Sequence, residues 1–384
     1  MLVNRLTIRN YRVLKDVALD LGSLNVFIGP NGSGKTTLLE VFGLLARGVR
    51  KQLKDSISNQ GGLLGLRSVG GKPNDPLSIE LSVGAYNYAI ELKTLGQGYV
   101  IDRELLTVKK KILLDRTATK ALYRKGNKLV GAQKDQKKAG AAKGTEGFDE
   151  AELLLAQVPT WNEKELDEFR FLIGSFAEFI TFYAGFAANV RLPQILEPGW
   201  LMPGIDGSKL VPALNNIKSS YPDAYQRIFE TLQVAFPDLK DLTFPPVSFG
   251  QALLRWWENN ERGFFHSQLS EGTLRFLCLV TMLLSPALPP LVVIDEPEVS
   301  MHPEMLMILA GLLKEASLRS QILVATHSER LIRWLEPKHV VICNKEDGFA
   351  RLVRADSAEL NLKDWLQKYT LDQLWLMGEL GGRP

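Results

Sequence analysis

Cysteine is scarce in this 384-residue chain: there are two, Cys278 and Cys343. Each lies in an apolar run, Phe276-Leu277-Cys278-Leu279-Val280 and Val340-Val341-Ile342-Cys343, which reads as a buried free thiol in a reducing compartment. Histidine is nearly as sparse, with four residues, and no Cys/His spacing fits a structural zinc site. No apolar stretch reaches the roughly 18 residues a membrane span needs. The segment after Met1 meets charge before any long apolar core, so no signal peptide is expected. The expectation is a soluble, cytoplasmic protein with no membrane partner. Neither sign of charge dominates: 46 Lys and Arg face 43 Asp and Glu, so bulk charge does not demand a nucleic acid. Internal repeats and long heptad runs are also missing. What is present is ordinary globular composition, with enough apolar residues for a large core.

Alternation over residues 2–28 predicts short strands, the last being the apolar run Leu24-Asn25-Val26-Phe27-Ile28 ended by Gly29-Pro30. Leu38, Leu39, Phe42 and Leu45 recur at helical spacing and predict a helix from Gly34 to about Ala46. From Pro76 to Val130 the period falls to two, as in Ser78–Val83 and Tyr86–Leu92, which predicts an antiparallel sheet. Residues 131–149 read as a loop rich in Gly, Ala, Lys and Gln. Helical spacing returns in Glu152–Gln157, Glu163–Phe182 and Asp223–Val234. From about 265 an α/β alternation predicts helices at 272–284, 303–317 and 328–335, strands at 291–295, 321–326 and 339–343, and two closing helices within 362–377. The expected organisation is a first part of an ATPase head over 1–149, a mainly helical lobe over 150–264, a second part of the head over 265–345 and a helical extension over 346–384.

Four motifs carry chemistry. Gly29-Pro30-Asn31-Gly32-Ser33-Gly34-Lys35-Thr36-Thr37 is a full GxxxxGKT phosphate loop, set after a strand and before a helix. Its glycines let backbone N–H groups curl around phosphate oxygens, Lys35 suits the β/γ-phosphates, and the Thr36 hydroxyl suits Mg²⁺. In Leu291-Val292-Val293-Ile294-Asp295-Glu296 a strand buried on both faces delivers two carboxylates: Asp295 for the metal, Glu296 as general base. Leu269-Ser270-Glu271-Gly272-Thr273 opens a helix, where Ser270 and Gly272 offer donors to an anion; taken alone, Ser270 reads better as a plain N-cap. Finally, Ile322–Ala325 ends on Thr326-His327-Ser328, with His327 set to sense a γ-phosphate; a lone His after a strand is more often a packed or capping residue.

The order of these motifs resembles the ABC-type ATPases: Walker A, an LSGGQ-like signature, Walker B with its glutamate, then a switch histidine. Thr273 stands about 22 residues before Asp295, and His327 follows about 30 after. The resemblance covers roughly residues 1–45 and 265–345. It implies an α/β P-loop NTPase of ABC type, with an antiparallel β subdomain and an inserted mainly helical lobe. It implies ATP and Mg²⁺ as cofactors, and a head-to-tail dimer in which Ser270 and Gly272 of a second copy complete the nucleotide site. The wide gap from Thr36 to Ser270 is unlike a transporter domain. Leu269–Arg275, Asp295-Glu296-Pro297-Glu298 with His302-Pro303, and Leu6-Thr7-Ile8-Arg9-Asn10-Tyr11-Arg12 resemble instead the AAA-type ATPases akin to RecF, SMC and OLD proteins. By that analogy Arg12 reaches the nucleotide. The closing Gly378–Gly382 is similar to the tail of the same group.

Some positions depart from the family pattern. Glu271 and Thr273 replace the commoner Gly and Gln, and Gln194 is a weak candidate for the Q-loop glutamine. With 57 residues after His327, neither the TOPRIM nuclease that OLD proteins carry there nor coiled-coil arms are expected. A basic stretch (Lys109–Lys111, Arg116, Lys120, Arg124, Lys125, Lys128, Lys134, Lys137, Lys138 and Lys143) is opposed within itself only by Asp115 and Asp135. It reads equally as a DNA-phosphate surface or as a solvated hairpin and loop. Two functions follow: an ATP-gated dimer acting on duplex DNA in repair or phage defence, or a regulatory subunit holding a separate nuclease or toxin effector in trans.

Overall fold

A computed structural model describes residues 2–70, 75–117, 120–131, 149–159, 163–177, 179–181, 186–360, 362, 365 and 368–380. The expected 131–149 loop and Lys134, Lys137, Lys138 and Lys143 lie almost wholly outside the described residues. The chain divides into two compact units. One comprises Met1–Gly22, Pro30–Ala177 and Cys343–Val353; the other comprises Ser23–Gly29, Glu178–Ile342 and Arg354–Pro384.

The first unit is built on an eight-stranded antiparallel sheet. Its strands, in spatial order, are Leu14–Asp20, Val3–Tyr11, Leu77–Val83, Tyr86–Leu95, Gly98–Val108, Lys111–Thr117, Ala121–Lys125 and Lys128–Gly131. Period-two patterning explains the exposure: Tyr86, Tyr88, Ile90 and Leu92 are buried on one face while Asn87 is exposed. The helix Lys164–Gly174 sets Phe169 against Tyr86 and Tyr88, at ring-centroid distances of 5.2 and 5.3 Å. The P-loop helix, Lys35–Val49, runs three residues past its expected end. Gly48 lies inside it, packed so that a Cβ there would stand 2.7 Å from Leu153 Cδ1 and displace that side chain.

The second unit holds a parallel sheet in the order Phe179–Thr181, Leu291–Asp295, Gln321–Thr326 and Leu24–Ile28, followed by Val340–Ile342, the paired part of the strand Val340–Glu346. All five residues of Leu24–Ile28 and all six of Gln321–Thr326 are buried, as strands covered on both faces must be. The signature helix Glu271–Leu283 and the helix Pro303–Ala316 contribute much of the surrounding core. Cys278 and Cys343 are buried free thiols; burial pushes the Cys343 thiol up to about 12 and Cys278 higher.

Three expectations change. The helix expected over 163–182 ends at Gly174, and Phe179–Thr181 instead pairs with Val293–Asp295 as a sheet edge, a state its aromatic and β-branched residues favour. Residues 239–265, expected in a mainly helical lobe, form short strands: Leu239–Thr243 pairs with Arg255–Glu258, which pairs with Gly263–Phe265. The C-terminal part is not only helical. Phe349–Arg354 is a strand, and Leu371–Leu376 is the α-helix described there. No helix among the described residues is long and apolar enough to cross a membrane.

Candidate nucleotide site

The parallel sheet aligns three carboxyl ends side by side. Ile28 pairs with Thr326, and Asp295 with Ala325, so the strand leading into the P-loop, the histidine strand and the acidic strand finish at one edge. Ligands bind at that edge in open α/β sheets.

In the P-loop itself, Gly32 and Gly34 take positive φ of 75° and 96°. Gly34 has a second constraint, since a Cβ would stand 3.0–3.1 Å from Leu14, Ala350 and Val13 side-chain carbons. The loop therefore needs glycine for backbone conformation and for space. Lys35 is buried, with Nζ donating to Pro30 O at 3.0 Å. Ser33 is fully buried, and its hydroxyl has no hydrogen-bond partner among the described residues. Asn31, Gly32 and Thr36 are exposed, and Thr37 is half-buried. A buried hydroxyl beside left-handed glycines fits a polyanion held by backbone N–H groups, so the loop suits a nucleotide phosphate, and exposed Thr36 is accessible to a divalent cation. Arg12, at φ 47°, pairs with Glu40 of the P-loop helix at 2.6 Å and donates to Gln60 at 2.7 Å. It braces that helix.

In the second unit, Glu296 follows Asp295 at φ 47°, a left-handed conformation that turns the chain off the strand. Its N–H still donates to Ala325 O at 2.8 Å. Its side chain stays half exposed, with Oε1 3.3 Å from His327 Nε2. Acid and histidine, 31 positions apart, thus meet directly at the sheet edge. Glu298, which drew attention only as part of the Asp-Glu-Pro-Glu text, is the residue the sequence reading missed. It is half-buried, and its Oε1 accepts from Thr326 Oγ1 at 2.7 Å, His327 N at 2.7 Å and Ser328 N at 3.1 Å. Burial holds this carboxyl above the usual carboxylate range, with Glu296 adding to the rise, although the Thr326 and backbone hydrogen bonds pull it down.

Ser270 is the N-cap of the signature helix: its Oγ accepts from Thr273 N at 3.1 Å. The capping reading therefore holds for Ser270, whose hydroxyl also contacts Thr273 Oγ1 at 2.8 Å. Glu271 forms an ion pair with the buried Arg275 at 2.6 Å. Gly272 abuts the loop after the acidic strand, where a Cβ would stand 2.0 Å from Ser300 O. Gln194 is no nucleotide ligand in this arrangement. It is buried, donates to Gly207 O at 2.9 Å and accepts from Val211 N at 2.8 Å, so its amide is used internally at both ends.

The basic stretch is thinner than its sequence suggests. Arg116 is buried and donates to Glu150 O and Glu152 O; Arg124 donates to Ile112 O; Lys111 pairs with Glu163 and Glu165. Lys109, Lys110, Lys120, Lys125 and Lys128 remain exposed. Topology gathers four of them: the turns at Lys109-Lys110 and between Lys125 and Lys128 lie at the same end of the sheet.

Residues 24–333 match the family described as "AAA domain, putative AbiEii toxin, Type IV TA system". The chain belongs to this family. Local stretches are similar to curated proteins: 42% identity over 53 residues to an OLD nuclease of Thermus scotoductus, and 49% over 61 residues to the DNA replication and repair protein RecF of Glaesserella parasuis. These cover 14% and 16% of the chain, and only 10% and 16% of the relatives. Among solved structures, an SMC head bound to the C-terminal winged-helix domain of ScpA aligns with TM-score 0.52 at 13% identity, over 94% of this chain and 100% of that one. A second SMC head, with ScpA from Pyrococcus furiosus, aligns at 0.51 and 12%, over 95% and 98%. At such identity the likeness establishes the fold alone, that of an SMC head.

Proposed function

We propose that this AAA-family protein is an ATPase that binds Mg·ATP, dimerises on it, and works on DNA in repair or phage defence. The observation that carries the reading is the Glu296–His327 pair, held at the sheet edge where the P-loop strand also ends. Residues Asn31 to Thr37 hold the phosphates, with Lys35 on the β/γ-phosphates. Thr36 and Asp295 hold Mg²⁺, which neutralises charge on the phosphates when bound. Glu296 takes the proton of the attacking water, and His327, beside it, senses the γ-phosphate. Ser270 and Gly272 of a second copy close the site. The four clustered lysines on the antiparallel sheet favour a DNA-phosphate contact.

A second reading is that the protein holds a separate effector, a nuclease or a toxin, in check in trans; the family description names a putative AbiEii toxin of a Type IV TA system.

Glu296→Gln tests the first reading. Losing the base lowers turnover by about 10²–10⁴-fold, and the variant with ATP and Mg²⁺ runs as a dimer in light scattering, with or without duplex DNA. A variant that stays monomeric with ATP sinks the shared site. Undiminished hydrolysis removes Glu296 as the base. Co-purification of an effector protein, with no DNA response, moves the balance to the second reading.

A further inference from the structure

We propose that Glu298 is a positioning residue, whose carboxylate fixes the Thr326-His327-Ser328 turn so that the His327 imidazole meets Glu296. The proposal rests on the ATPase reading above for its catalytic consequence, but its geometry stands independently. Glu296 and Ser300 both take left-handed backbone, at φ 47° and 66°, and Val299 N and Met301 N donate back to Glu296 O and Glu298 O. This folds residues 296–301 into a tight turn. From it, the Glu298 side chain reaches the neighbouring strand's end, where one oxygen collects three donors from three consecutive residues. One side-chain oxygen thereby ties down the Thr326 hydroxyl and two successive backbone N–H groups. Such a clamp sets the backbone of His327 from beneath, while His327 Nε2 lies against Glu296 Oε1 at 3.3 Å. Glu296 and Glu298 are two residues apart on one turn, so the general base and the clamp on its partner move together. The second carboxylate oxygen of Glu298 is buried with no partner among the described residues, a cost a purely packing role would not require.

The experiment uses the full chain and the variants Glu298→Ala, Glu298→Gln and Glu298→Asp, with Glu230→Ala as an exposed control. Three results are expected. First, Glu298→Ala lowers kcat roughly 100-fold, as a misplacement of about 1 Å does, with KM for ATP unchanged. Glu298→Gln retains an oxygen acceptor and recovers much of the loss; Glu298→Asp, one methylene short, does not. Second, Glu298→Ala has little further effect once His327 is already Ala. Third, without nucleotide, the imidazole C–H resonances of His327, identified among four histidines by their loss in His327→Ala, shift in Glu298→Ala and stay fixed in Glu230→Ala. Unmoved His327 resonances overturn the proposal, as does an undiminished effect of Glu298→Ala in the His327→Ala background. If the unaltered protein hydrolyses no ATP, the ATPase reading falls, and the resonances still decide the role of Glu298. If Glu298→Ala does not fold, the contrast between Gln and Asp decides it.

Discussion

At the scale of single residues, glycine and serine in the signature illustrate two kinds of requirement. Ser270 caps its helix, a role its identity and position announce, because a serine before an acidic first turn accepts from the third backbone N–H. Gly272 has no unusual backbone to advertise it. Its need for a bare Cα comes from the Ser300 carbonyl, 28 positions away in the chain. Gly272→Ala therefore forces backbone against Cβ and destabilises the fold by about 1–3 kcal/mol, the usual cost of overpacking. Denaturant unfolding measures it, and unchanged stability shows that the loop yields without strain. Glu298 has the same character: the Asp-Glu-Pro-Glu text marks it as acidic, but only the adjacent strand reveals three donors on one oxygen.

At the scale of elements, the antiparallel sheet and its covering segment are joined by a buried polar cluster. Glu104, fully buried, accepts from Tyr88 OH at 2.9 Å and from the backbone N–H groups of Leu154 and Leu155 at 2.6 and 2.9 Å. Arg116 lies 3.9 Å away and donates to the carbonyls of Glu150 and Glu152. The carboxylate thus caps the short helix Leu154–Gln157 and balances a buried guanidinium. Removing one partner of a buried charge pair costs about 3–5 kcal/mol, and Glu104→Ala is expected at that level, with faster amide exchange over Tyr86–Thr117. Exchange confined to residues 149–158 would limit Glu104 to a local cap. This cluster also explains why the basic stretch misleads: Arg116 is an internal cation, Arg124 spans strands, and Lys111 meets glutamates some 50 positions later in the chain. The helix ends shift for similar reasons. The helix Lys35–Val49 runs on through Gly48, where an added Cβ would push the end of the Leu153 side chain aside.

At the scale of the whole molecule, a net charge of +3 says little about partners, whereas its distribution says more. With Lys111, Arg116 and Arg124 engaged, the DNA reading rests on Lys109, Lys110, Lys125 and Lys128 at one end of the sheet. Replacing all four with alanine lowers the slope of log affinity against log salt by about 0.9 for each lysine seated on a duplex phosphate. An unchanged slope assigns these lysines to solvent.

The P-loop, the acidic strand, the histidine strand and the parallel sheet that joins them were legible from residues alone. Their signals are local: runs of apolar residues, glycines at fixed offsets, and acids or histidine at strand ends. The same local signals exposed the antiparallel sheet through its period of two. What only the tertiary structure decided is what depends on partners far along the chain. Phe179–Thr181 became a strand because an edge of the parallel sheet was open to it, and residues 239–265 became strands because they pair with one another. Glu296 and His327 each end a legible strand, but their 3.3 Å approach, and the clamp of Glu298 beneath it, exist only because those strands lie side by side. Sequence periodicity records which face of an element is apolar; it does not record which neighbour that element will meet.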